Sequence, residues 1–156
     1  PSRPGPPTPT PKAIGLAGPG LRSGFGMGGW VDLTNRHQSV VLKRIRFDFS
    51  GVDDPHLGRE RYAGWPRGTR DQDQNAHLRV AVIHAPYQRV LDHFTRDGAD
   101  LLLAGHTHGG QLCVPGYGAL TANCDLHTWR STGLNNWERN GRRTPVNVTG
   151  GMCNHR

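Results

Sequence analysis

The residues best suited to chemistry lie in Gly105-His106-Thr107-His108-Gly109-Gly110, directly after the apolar run Leu101 to Ala104. Two imidazoles at i and i+2 on an extended backbone point to one side, because strand side chains alternate with a period of two. The flanking glycines let the chain turn and let a ligand approach without a Cβ in the way. Such a pair is half of a transition-metal site, since imidazole nitrogen suits Zn, Fe, Ni and Mn. A third imidazole, His84, ends another apolar run, Leu78 to Ile83, and is followed by Ala85-Pro86.

Those histidines work together only if the elements between them bring them to one place. Leu78 to Ile83 reads as a buried strand. Tyr87, Val90, Leu91 and Phe94 follow at i, i+3, i+4 and i+7, the spacing of an amphipathic helix. Gly98 stands where a left-handed cap closes a helix, and Ala99 to Ala104 is the next strand. Strand, helix and strand in this order form a crossover unit with parallel strands. Both carboxyl ends then share the sheet edge at which open α/β sheets bind ligands. The predicted class is α/β, with His84, His106 and His108 converging as metal ligands.

The order His84-Ala-Pro, then a strand, then Gly105-His-Thr-His-Gly-Gly-Gln111 resembles the last two metal motifs of the calcineurin-like metallophosphoesterases. The likeness runs from about Gly29-Trp30 to Cys124. It takes in Gly51-Val-Asp-Asp-Pro55 and Pro115-Gly-Tyr-Gly-Ala119. The resemblance implies a sandwich of two mixed β-sheets flanked by helices, and phosphate-ester hydrolysis at a dinuclear centre. Its cofactors would be two divalent metal ions (Mn, Fe, Zn or Ni), about 3.5–4 Å apart, whose bridging hydroxide attacks phosphorus. His84 and His106 would bind one metal and His108 the other.

The chain also departs from that family. Its earlier motifs, Asp-x-His, Gly-Asp-x-x-Asp and Gly-Asn-His-Asp/Glu, do not occur in order upstream of His84. Asp54-Pro55-His56 has the letters of the first, yet lies in a segment that the family places after all three. Asp125-Leu126-His127 and Cys153-Asn154-His155-Arg156 are misplaced echoes. The expectation is therefore a C-terminal portion of such a domain over residues 30–156. It would have little or no activity alone, and the catalytic and substrate-contacting residues stay unassigned.

The rest of the chain adds less. At 156 residues, with 34% hydrophobic residues, 22 Gly and 12 Pro, it is long enough for one domain but is not all packed core. Residues 1–29 hold seven of the 12 prolines and read as an irregular linker. Trp30 to Leu33, Ser39 to Leu42 and Arg44 to Phe49 read as short strands, with a turn at Asn35-Arg36-His37. Arg59 to Asn75 reads as a surface loop, Ala119 to Asn123 and Pro145 to Thr149 as strands. Leu126 to Arg143 shows no period. A formal charge of +7 attracts phosphate-bearing partners, but the basic residues are scattered, so a basic surface without a specific nucleic-acid partner is expected. No run reaches transmembrane length. A cytoplasmic location, or one peripheral to the cytoplasmic membrane, is favoured.

Each functional reading has a plainer one beside it. Asp53 and Asp54 either edge the site or form a strand-end turn with Pro55. Asn123 is a weak candidate for lining the cleft, and Cys113 for a place near the metal. His37, His56, His77, His93 and His127 lack partner spacing and are expected at the surface. Trp129 and Trp137, with arginines nearby, either stack bases or are partly buried aromatics, the second being preferred. Cys113, Cys124 and Cys153 are expected as reduced thiols. Two other classes compete: a mononuclear zinc hydrolase using three histidines, and a basic nucleic-acid-binding module without catalysis.

Overall fold

A computed structural model describes residues 26–66, 77–114 and 118–151, without the side chains of 111–113, 118 and 119. The chain divides into residues 1–32 and 33–156. In the first unit only 26–32 are described, and Met27 and Trp30 there are exposed. The linker expected over 1–29 lies mostly outside the described residues, as do part of the 59–75 loop, Pro115-Gly-Tyr117 and Cys153-Asn154-His155. So does the Cys113 side chain.

The second unit is built on a six-stranded sheet. Its strands are β1 (Arg36–Leu42), β2 (Ile45–Gly51), β3 (His77–Ile83), β4 (Leu101–Ala104), β7 (Gly133–Arg139) and β8 (Arg142–Val148), in the order β1-β2-β3-β4-β8-β7. β5 (Gln111–Val114) and β6 (Gly118–Thr121) form a separate antiparallel pair. Strands β2, β3, β4 and β8 run parallel, and an antiparallel strand closes each edge. This is an α/β protein with a mixed sheet.

Helix α1 (Gln88–Arg96) crosses from β3 to β4. It buries Val90, Leu91, Phe94 and Thr95, matching the predicted apolar stripe. Gly98 closes it at φ +86°, with Gly98 N–H bonded to Thr95 O and Ala99 N–H to Phe94 O. That pair of bonds is the Schellman ending, which satisfies carbonyls the last turn leaves free. Leu91 and Phe94 have no exposed surface and join Ala81, Ile83, Leu102 and Val146 in the core. Burying a side chain of that size stabilises by about 1.5–3 kcal/mol.

The opposite sheet face is also apolar. Register places Phe47 beside Leu78, Phe49 beside Val80, Val80 beside Leu101 and Val82 beside Leu103 on that side. Of these, Phe47, Phe49, Val82, Leu101 and Leu103 are only partly buried, and Leu78 is exposed.

Three sequence expectations need correction. Trp30 to Leu33 is not a strand, and the turn falls at Thr34-Asn35. Asn35 takes φ +53°, and its Oδ1 accepts from the N–H groups of Asp53 and Arg61, so the chain enters the sheet only at Arg36. Leu126 to Arg143 is not featureless: Asn140-Gly141, at φ +51° and +74°, turns β7 into β8. Positive φ at both positions is what a tight hairpin requires. His77 is not at the surface; its side chain is 3% exposed and lies 2.6 Å from the Asp48 carboxylate.

Candidate metal centre

The four parallel strands set the site, because their carboxyl ends share one edge of the sheet. β2 runs out into Val52-Asp53-Asp54-Pro55-His56, β3 into His84, β4 into Gly105-His106, and β8 into Thr149-Gly150-Gly151. Pairing continues past the ladders: Val52 N–H donates to Val82 O, Gly105 N–H to His84 O, and Thr149 N–H to Ala104 O.

His84 and His106 meet. Nδ1 of His106 lies 3.0 Å from Nε2 of His84, and the rings are tilted by 67°. Positive φ places His106 there, not an extended strand. Thr107 N–H closes on Gly105 O at 2.8 Å, and His106, between them, takes φ +69°. A three-residue turn of that sign is the rare, strained kind, and strain of this sort collects at functional sites. Thr107 has no exposed surface, and its hydroxyl donates to Ser131 O at 2.6 Å, anchoring the loop from below.

His108 stands apart. It takes φ +53° and is exposed, and no hydrogen bond or ring contact joins it to His84 or His106. The period-two argument therefore fails physically, since both histidines sit in left-handed turns. His108 faces Gly151 instead: a Cβ there would lie 3.9 Å from its Nδ1. A Cβ on Gly150 would lie 3.3 Å from Gly109 N, so the loop after β8 lies close against the histidine loop.

Three further residues gather at the pair. The His56 ring is 5.1 Å from the His106 ring, and its Nδ1 lies 2.8 Å from the Tyr87 hydroxyl. Asp54 caps the short 3-10 turn Pro55–Leu57 by accepting from His56 N–H. This is the strand-end turn of the plainer reading, and its charge also reaches His106. Nδ2 of Asn123 lies 3.1 Å from His106 Nε2. The sequence placed His56 at the surface. It is exposed, but beside the pair, because β2 runs parallel to β3 and delivers its loop to the same edge. Two adjacent β-type runs separated by polar residues do not reveal that parallel pairing. Asp125, from one of the misplaced echoes, accepts from Gln88 N–H.

Burial, then the neighbouring His84 and His56, hold His106 below its ordinary pKa of 6.5. Asp54 and a backbone hydrogen bond with Asn123 pull the other way without prevailing. His106 is thus neutral at pH 7, and an imidazole must be neutral to ligate. Among the described residues, no three His, Cys, Asp or Glu side chains form a group able to hold a metal ion. The pair of imidazoles fits one half of a site. Trp137 is buried and Trp129 is 65% exposed, and Arg130 lies over both rings.

Comparison with known proteins finds no matching family model, curated protein or solved structure. Among the described residues, no helix is long and apolar enough to cross a membrane.

Proposed function

We propose that this chain carries the imidazole part of a divalent-metal site in a phosphoester hydrolase. The observation that supports this most is the 3.0 Å approach of His84 Nε2 and His106 Nδ1 at the carboxyl edge of the parallel strands. Open α/β sheets bind their ligands at that edge.

In this reading His84 and His106 hold one ion, and the burial that keeps His106 neutral keeps a lone pair available. A bound divalent ion would neutralise charge on the phosphoryl oxygens, the effect that dominates catalysis at such sites. The turn at Asp54 adds negative charge beside a cation. His56, with one ring nitrogen at Tyr87, stands exposed at the rim, where a phosphate ester would arrive. A second ion at His108, as the metallophosphoesterase resemblance implies, needs further ligands from outside the described residues.

Elemental analysis of the purified chain tests the proposal. At least one Zn, Mn, Fe or Ni per chain is expected, lost when His84→Ala and His106→Ala are combined. Equal metal content in the two proteins would overturn it. A second ion lost selectively with His108→Ala would extend the site to the dinuclear form.

A further inference from the structure

Both ring nitrogens of His106 are engaged, Nδ1 with His84 and Nε2 with the side-chain amide of Asn123. Asn123 follows β6 at φ +51° and is partly buried. Asparagine is among the few residues with a side chain that visit this left-handed region readily. The contact is therefore made by a residue that its backbone position favours.

The amide has a donor end and an acceptor end of nearly the same shape. With Nδ2 toward the ring, Asn123 donates to Nε2, and His106 carries its proton on Nδ1, which donates to His84 Nε2. With Oδ1 toward the ring, Nε2–H donates to Asn123. The Nδ1 lone pair is then free of its proton, and His106 and His84 can together ligate a cation. A ligating histidine generally gives its other N–H to an acceptor, which fixes its tautomer.

We propose that Asn123 is a positioning residue that selects the tautomer of His106, turning its amide when His106 and His84 ligate a cation. The inference rests on the metal-site reading. A residue that merely closed the loop would affect stability and leave the tautomer alone.

Long-range proton–nitrogen NMR of the imidazoles, with and without Zn²⁺, provides the test on the full chain. In the wild type, His106 is expected as the Nδ1–H form without metal and as the Nε2–H form with Zn²⁺. Asn123→Asp, which can only accept, should hold the Nε2–H form even without metal and bind Zn²⁺ at least as tightly. Asn123→Ala should weaken Zn²⁺ about 10-fold, the low end for such partners. Wild-type tautomer behaviour in both variants, with unchanged Zn²⁺ affinity, would overturn the proposal. Zn²⁺ binding that ignores His84→Ala would instead overturn the metal-site reading, while the metal-free tautomer of Asn123→Asp still reports on the amide.

Discussion

Asp48 has no exposed surface, and its carboxylate is met on three sides. Ser39 donates at 2.6 Å, Arg46 Nε at 2.9 Å, and His77 Nε2 lies at 2.6 Å. Burial works against its charge, yet these hydrogen bonds prevail and hold the carboxyl below its ordinary 3.8. A folded-state pKa below the unfolded one stabilises above the unfolded value, and that stability is lost as pH falls through the folded value. The urea midpoint should therefore drop as the pH falls from 5 through 3.8 and below, and Asp48→Asn should flatten that drop. At pH 7 the same variant should cost about 3 kcal/mol, because Arg46 loses its counter-charge beside a buried group. An unchanged midpoint at pH 7 would count against this. At this scale the sequence was partly legible. The approach of His84 and His106 was legible from their strand ends. Asn123 was only a weak candidate for the cleft, and the places of His56 and His77 were not legible, because their partners lie on segments that local spacing does not connect.

Among the elements, β3, α1 and β4 were legible because their signals are local: an apolar run, a helical stripe and a capping glycine. The β7–β8 hairpin was legible only in part, since Pro145 to Thr149 read as a strand but β7 did not. β7 buries only Trp137 of its seven residues, so alternation is faint there. In β8 it is clear afterwards, with Thr144, Val146 and Val148 inward, and Asn140-Gly141 between the strands is a strong turn signal. Two glycines serve these elements in different ways. A Cβ on Gly51 would lie 2.4 Å from Leu33 O and 2.7 Å from Leu33 Cβ, although Gly51 has no positive φ. Gly141 has open space around it but sits at φ +74°. Gly51→Ala should destabilise by about 1–3 kcal/mol through forced displacement, and Gly141→Ala by about 1 kcal/mol through backbone conformation alone. Paired urea unfolding measures both. Equal costs, or a larger one at Gly141, would reverse this account.

For the whole molecule, the second unit presents one sheet face packed by α1 and another that is apolar and incompletely buried by the described residues. Sheets with parallel strands are ordinarily covered on both faces, and large exposed apolar patches bind partners or aggregate. The chain should bind an apolar fluorescent dye in its folded state. Leu42→Glu with Leu78→Glu, which charges two exposed positions (57% and 40%) on that face, should reduce the signal. A wild-type chain that binds no dye would show that the face is covered. The α/β class was legible from the strand-helix-strand order. The place of β8 beside β4 was not, since nothing local marks Leu102 and Val146 as neighbours.

That pairing also bears on how the protein comes into being. The histidine loop is held at its far side by Thr149 and Gly150, which follow the last of the described strands. During synthesis His84 and His106 leave the ribosome well before β8, and contacts between distant segments form slowly. The two imidazoles therefore spend the nascent period without the clamp that shapes their loop. On the proposed metal-site reading, free metal would meet them in that interval, before the loop geometry that would select among ions has formed.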